Sequence, residues 1–444
     1  MRDIALYVVV WAGALCALKR PWIGVILWTW LSVMNPHSLT WASGGASHAM
    51  VAALATMTGL FLTKDRWSPF QSPAAMALLA FWLWTCVTLP FSFYFDDSMP
   101  LFIRSAKIYL MTFVCLALIN TKHKLDWFVG ILVFSLAFYG AKGGLFTILN
   151  GGNYLVWGPG GFIEGNNELA LALVMTIPLI RYLQTQATQK WVRAGLWATL
   201  GLTAVTVLGT WSRGAFLAIA AMSFMMWMKG DRKMLWGFAL FFIGIVALSM
   251  MPDAWWARMG TIQNYEQDAS AMGRLNAWEM AWNLAKSNFF GGGFSIYEYP
   301  VFARYAPVAW DVHAAHSIYF QVLGEHGFVG LFLFLLIWFF TWKHAKTVTR
   351  LAAGVPELQW AMHLSRMLQV SLVGYFTGGA FLSLAYFDLP YDLMVASVVA
   401  MLLVKQHVAA HVQPIAQPRL WPAPPEPGRP AGPTGAPGQR QPAL

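Results

Sequence analysis

Apolar runs long enough to cross a lipid bilayer recur along most of this chain, and they decide what it can fold into. Hydrocarbon is spanned by about 20 residues of helix, and within it each backbone polar group must be bonded inside the segment. The candidate runs are 4–18, 22–34, 48–63, 72–90, 101–120, 125–141, 167–184, 191–210, 212–228, 234–250, 318–342, 363–386 and 388–405. The first two are short and read as two spans or as a pair that does not fully cross. The expected fold is therefore an all-α polytopic membrane protein with 12 or 13 crossings. Only 11% of the 444 residues are charged, against about 25% in soluble domains. So few charges cannot cover a soluble surface of this size. The 24 tryptophans suit the membrane–water interface.

On a soluble protein, the formal charge of +10 would suggest nucleic acid. Here the cations sit mostly in short loops between apolar runs, where they set topology. Lys19-Arg20, Lys64/Arg66, Lys122/Lys124, Lys190/Arg193, Lys229/Arg232/Lys233 and Lys343/Lys346 are each separated from the next by two runs. That alternation places them in the cytoplasm and makes nucleic acid an unneeded partner. The opposite side then holds 35–47, 91–100, 142–166, the turn Thr210–Gly214 and the long segment 251–317. The side of the N-terminus stays open. Residues 1–411 form the membrane domain; 412–444, rich in Pro and Gly without apolar period, read as a disordered cytoplasmic tail. Cys16, Cys86 and Cys115 lie inside apolar runs and suggest neither a disulfide framework nor a metal site. The N-terminus lacks a cleavable-signal pattern, so the first run is expected to stay as an anchor.

Polar chemistry gathers on the outer side. Within 251–317, Gly273–Asn288 reads as an amphipathic helix that ends before Gly291-Gly292-Gly293. Leu275, Trp278, Trp282, Ala285 and Phe289 share one face, and Glu279, Asn283 and Lys286 point elsewhere. Such a helix lies on the membrane surface or packs on neighbouring spans. Arg274 near its start, with free backbone N–H groups, suits an anion; otherwise it is a surface arginine. Arg213 in Ser212-Arg213-Gly214 sits at a tight turn, either snorkelling to headgroups or serving a site. His313 and His316, three residues apart, precede an apolar run. A general base there is a better reading than zinc, since no HExxH and no third ligand are present. Glu164 starts a span and either binds a substrate hydroxyl or pairs with an outer arginine, while Asn166 or Asn167 caps the helix. Arg104 and Lys107 add positive charge on the outer side, which invites an anionic partner. No nucleotide-binding loop, spaced DxD or GxSxG is present. Charges at span centres, expected of a transporter, are nearly lacking, which favours chemistry at one face.

These features together resemble the bacterial O-antigen ligase family, which is related to O-antigen polymerases and bacterial protein O-oligosaccharyltransferases. The family pattern of His, then Asn, Ser or Gln, nine residues and Gly is met by His316, Ser317 and Gly327. Ser212-Arg213-Gly214 matches its Ser-Arg-Gly turn, Arg274 the arginine of the long outer loop, and Gly291–Phe294 the glycine-rich stretch that follows. The likeness covers about 140–385. Residues 20–24 and 34–37 look like a subfamily of exosortase-associated O-glycosylation ligases. The resemblance implies a GT-C-like, multi-pass protein of the bacterial inner membrane with a periplasmic active site. It implies metal- and cofactor-independent, inverting transfer of a glycan from undecaprenyl diphosphate to a sugar hydroxyl of lipid A–core. Arg213 and Arg274 would hold the diphosphate and His316 would act as base, with His313 orienting or binding. Protein O-glycosylation and repeat polymerisation use the same donor and stay open, as does a lipid-linked glycan transporter.

Overall fold

A computed structural model of the chain describes residues 1–41, 47–229, 242, 244–246, 248–261, 266 and 268–411. Among them all regular structure is helical. The helices are α1 (Arg2–Lys19), α2 (Pro21–Met34), α3 (His48–Leu62), α4 (Pro73–Thr88), α5 (Phe95–Leu118), α6 (Lys122–Leu149), α7 (Asn166–Gln186), α8 (Lys190–Gly209) and α9 (Arg213–Lys229). They continue with α10 (Asp253–Gly260), α11 (Ala269–Ser287), α12 (Tyr299–Tyr305), α13 (Ile318–Leu351), α14 (Gln359–Gly379) and α15 (Asp388–His411). Seven of these, α4 (continued to Phe91), α5, α6, α7, α8, α13 and α15, are long and apolar enough to cross a membrane. The helices α2 and α3 are apolar but shorter, and α9 has 17 residues. The expected run 234–250 lies largely outside the described residues, as do Arg232, Lys233 and the 412–444 tail.

The helix ends sort by chemistry. The loop 63–72 meets the α5–α6 connection through Lys124 Nζ, which donates to Asp65 at 2.7 Å and to Asn120 at 2.7 Å. That end carries the basic loops before α6 and α8. At the opposite end lie the start of α7, the α8–α9 turn, α10, α11, the start of α13 and the exit of α14. The core between them is aliphatic and aromatic, with α7 and α15 buried along most of their length.

The long helix α13 is broken at Gly327, whose φ of 67° and ψ of −171° are open almost only to glycine. The break strands the last carbonyls of the first half-helix, and buried carbonyls need donors. Gly292 N donates to Gly324 O at 2.9 Å and Gly293 N to Glu325 O at 2.9 Å. Trp84 Nε1 donates to His326 O at 2.9 Å. The triple-glycine stretch thus acts as a short edge that closes the broken helix. Gly291, at φ 72°, comes so near that a Cβ there would lie 2.6 Å from the Glu325 backbone.

Candidate active site

The site is assembled around the C-terminal end of α8. A helix leaves its last carbonyls without partners, and here the carbonyls of residues 208–211 take donors from three different segments. Leu208 O accepts from Trp255 Nε1 at 3.1 Å, and Gly209 O from Val156 N at 3.0 Å. Thr210 O accepts from Asn166 Nδ2 at 2.7 Å, and Trp211 O from Arg258 Nε at 3.1 Å. Trp211 itself takes a left-handed φ of 56° and anchors its indole on Gly152 O at 3.1 Å. The turn then reverses directly into α9. Ser212 caps it, accepting from Ala215 N at 3.3 Å. The N-terminus of α9, with Ser212, Arg213 and Gly214, lines the space beside this turn.

That space is a cavity of about 90 Å³ lined by Arg213, Arg258 and Arg274 together with Ser212, Ser270 and Asn167, among others. Arg213 is ion-paired with Asp268 and donates to Thr261 Oγ1 at 2.6 Å. Asp268 is also the N-cap of α11, accepting from Ser270 N at 2.9 Å. Arg274 lies in the second turn of α11, and its Nε is buried without a hydrogen-bond partner among the described residues. Burial pulls the Arg274 guanidinium below its usual value; Glu168 opposes this and Arg258 adds to it. Three cations, a helix N-terminus and short polar side chains around a small cavity suit an anion with several oxygens.

His316 stands outside the cavity lining but beside Arg274. Burial first, then the Arg274 charge, then His313 bring its imidazole down to about 4, so it is neutral at physiological pH. Its φ of 42° turns the chain sharply into α13, which begins two residues later. Trp278 fixes this corner, donating from Nε1 to Ala315 O at 2.6 Å and stacking on Phe320 with ring centres 5.0 Å apart. His313 is paired with Asp311 at 2.8 Å. Its ring covers Gly273, where a Cβ would come within 2.3 Å of His313 Cδ2.

Comparison with known families now bears on this arrangement. Residues 198–335 match the O-antigen ligase family. Over those residues the chain is similar to the O-antigen ligase family. The match contains Arg213, Arg258, Arg274, His316 and Gly327 and is narrower than the 140–385 of the sequence likeness. Residues 1–188 match a family of unknown function, DUF5935. No curated protein matches the chain.

The structure brings Arg213, Arg274, His316 and His313 to one place and corrects several expectations. Glu164 is exposed, and Glu168, one turn along, is the acid that faces Arg274. Asn166 does not cap α7; Gly165 holds that position, and Asn166 instead staples α7 to the α8–α9 turn. Arg104 belongs elsewhere: its guanidinium lies 3.5 Å over the Phe162 ring and its acidic neighbour is the chain's own Asp388. Lys107 is exposed and outside the cavity lining. Arg274 does not open its helix, because α11 begins at Ala269, so it reaches the cavity through its side chain rather than through free backbone N–H groups. The face of α11 that packs is Gly273, Asn276, Ala277, Met280, Ala281, Leu284 and Ala285. Leu275, Trp282 and Phe289 point outward, 39%, 46% and 66% exposed. Arg258 was not singled out in the sequence. Its one visible signal is its place in Trp255-Trp256-Ala257-Arg258, a short amphipathic stretch after an apolar run.

Proposed function

We propose that this protein is a lipid-linked glycan ligase. It moves a glycan from undecaprenyl diphosphate to a sugar hydroxyl of lipid A–core, in about 12 spans, at the periplasmic face of the bacterial inner membrane. The observation that carries this reading is the juxtaposition of an arginine-lined cavity with a neutral histidine, both at the end of the helix bundle away from the basic loops.

The chemistry follows from the charges. The acceptor oxygen attacks the anomeric carbon, the bond from that carbon to the phosphate oxygen breaks, and its electron pair leaves on the diphosphate. Arg213, Arg258 and Arg274 and the α9 N-terminus neutralise that growing charge. His316 takes the acceptor proton. The donor carries its activation in the diphosphate, so no nucleotide is consumed. The outward Leu275, Trp282 and Phe289 seat α11 in the bilayer interface, which lets both lipid substrates reach the cavity from the membrane.

The test uses purified protein with lipid-linked glycan and separate lipid A–core and peptide acceptor pools. Glycan should appear on lipid A–core. His316→Ala should lower turnover by about 10²–10⁴-fold with normal insertion, His316→Gln should not rescue it, and His313→Ala should cost less. Glycan on the peptide pool alone would replace the acceptor in this reading. A fully active His316→Ala protein would remove the base.

A further inference from the structure

The break in α13 leaves His316 on a short rod. The first half of the helix starts at Ile318, just after the histidine corner, and ends at Gly327, about 13 Å of helix. Continuity with the second half does not fix where this rod stands. Its far end is closed by the glycine stretch and by α4, where Thr88 Oγ1 lies 2.8 Å from His326 Nδ1. Its flank is held by the loop 380–387, between α14 and α15. Ala385 N donates to Gln321 Oε1 at 3.3 Å, and the Tyr386 hydroxyl donates to Glu325 Oε2. Glu325 is 2% exposed and has no Lys, Arg or His within ion-pair distance among the described residues. A buried carboxyl is costly unless its oxygens are bonded, and here a loop hydroxyl supplies the bond.

The same loop reaches the cavity. Phe381 and Leu382 line it, and a Cβ added at Gly214 would come 3.0 Å from Phe381 Cβ. The loop is braced from the helices on either side: Tyr375 donates to Leu384 O at 3.2 Å, and Tyr391 to Ala385 O at 2.8 Å. It lies beyond the residues that match the ligase family. We propose that Glu325 and Tyr386 are positioning residues: their hydrogen bond latches the first half of α13 to the 380–387 loop and so sets the place of His316 relative to the cavity. They act through His316 and not on substrate. One braced loop touches both parts of the site and fixes their separation, and a displacement of about 1 Å there costs about 10²-fold in rate. The inference rests on the glycan-transfer reading for its effect on rate, but not for its labelling test.

The experiment uses full-length protein in detergent and two readouts. One is kcat and donor KM in the transfer reaction. The other is the reaction of methyl methanethiosulfonate with Ala315→Cys in a background without native cysteines, since Ala315 is fully buried beside His316. Tyr386→Phe should lower kcat by about 10–100-fold, leave donor KM within about 2-fold, and make the thiol at 315 react several-fold faster. Glu325→Gln keeps an oxygen that accepts from Tyr386 and should retain most of kcat. Gln321→Met cuts the second tie to the loop and should shift both readouts in the same direction as Tyr386→Phe. Tyr139→Phe is the control: it removes another buried tyrosine hydrogen bond, to Met34 O at 2.7 Å, and should change neither readout. Equal effects in Tyr139→Phe would reduce the latch to general stability and overturn the proposal. So would Tyr386→Phe or Gln321→Met proteins indistinguishable from wild type, or a Glu325→Gln protein as impaired as Tyr386→Phe. A wild type that transfers no glycan, with labelling at 315 that still depends on Tyr386, would support the latch and remove the proposed function.

Discussion

Replacing Gly327 by Ala tests whether the break in α13 is built or incidental. Two costs add there. An L-residue at φ 67°, ψ −171° is in a region almost closed to side chains, worth about 1–3 kcal/mol. The new Cβ would also lie 2.4 Å from Phe289 O. That atom is backbone, and its neighbours are tied down by the Gly292–Gly324 and Gly293–Glu325 hydrogen bonds, so overpacking adds about 1–3 kcal/mol more. The sum sets a floor of about 2 kcal/mol. Gly354→Ala is the control, because Gly354 also has a positive φ, 79°, but nothing within 4 Å of a Cβ; it carries a positive-φ cost without the clash. The assay is the melting temperature of detergent-solubilised protein by fluorescence-detected size exclusion. Gly327→Ala should melt several degrees lower than Gly354→Ala and lose transfer activity, since His316 sits directly before the displaced half-helix. A Gly327→Ala protein within about 1 °C of wild type would refute the account, because a break that relaxes without cost is not held by the glycine stretch.

Two further outcomes are expected. The acid limb of kcat/KM should fall near 4, where His316 protonates. A nearby cation disfavours the imidazolium, so Arg274→Gln should move that limb up, by less than half the distance to the ordinary 6.5 because burial is the larger cause; a downward move would contradict the assignment. In whole cells carrying a variant without native cysteines, thiols placed near 150 and 300 should react with a membrane-impermeant reagent and one near 231 should not, and equal labelling of all three would overturn the orientation.

What the sequence made legible, and what it did not, has a physical pattern. The helical, apolar character was readable because a bilayer leaves helix as the economical solution for an apolar run, and seven of the expected runs are helices long and apolar enough to cross. Ser212-Arg213-Gly214 and His316–Gly327 were readable because each is a local device: a cap, cation and small residue at a helix start, and a chain corner followed by a helix break. The orientation of α11 was not readable, because Leu and Trp look alike whether they face a protein core or lipid. Its packing is carried instead by Gly273, Ala277 and Ala281, which permit close approach; a Cβ added at Gly324 of α13 would come within 3.0 Å of Ala281 Cβ. Arg258 was hidden because its partner is a carbonyl 47 residues away, freed only by how α8 ends. Arg104 pointed to an outside anion for the same kind of reason: Asp388 is remote in sequence and adjacent in space.

The pairing of Arg274 with His316 gives the proposed reaction an order. In the free protein, burial and then the Arg274 charge hold His316 at about 4, so the imidazole is unprotonated but a weak base. A bound diphosphate brings negative charge to Arg274 and cancels much of its repulsion on the imidazole. His316 then gains basicity while the donor is in place, which is when the acceptor hydroxyl must lose its proton. When undecaprenyl diphosphate leaves, the repulsion returns and favours release of that proton to water. On the proposed function, Arg274, which lines the cavity and acts on His316, links donor occupancy to acceptor activation through charge.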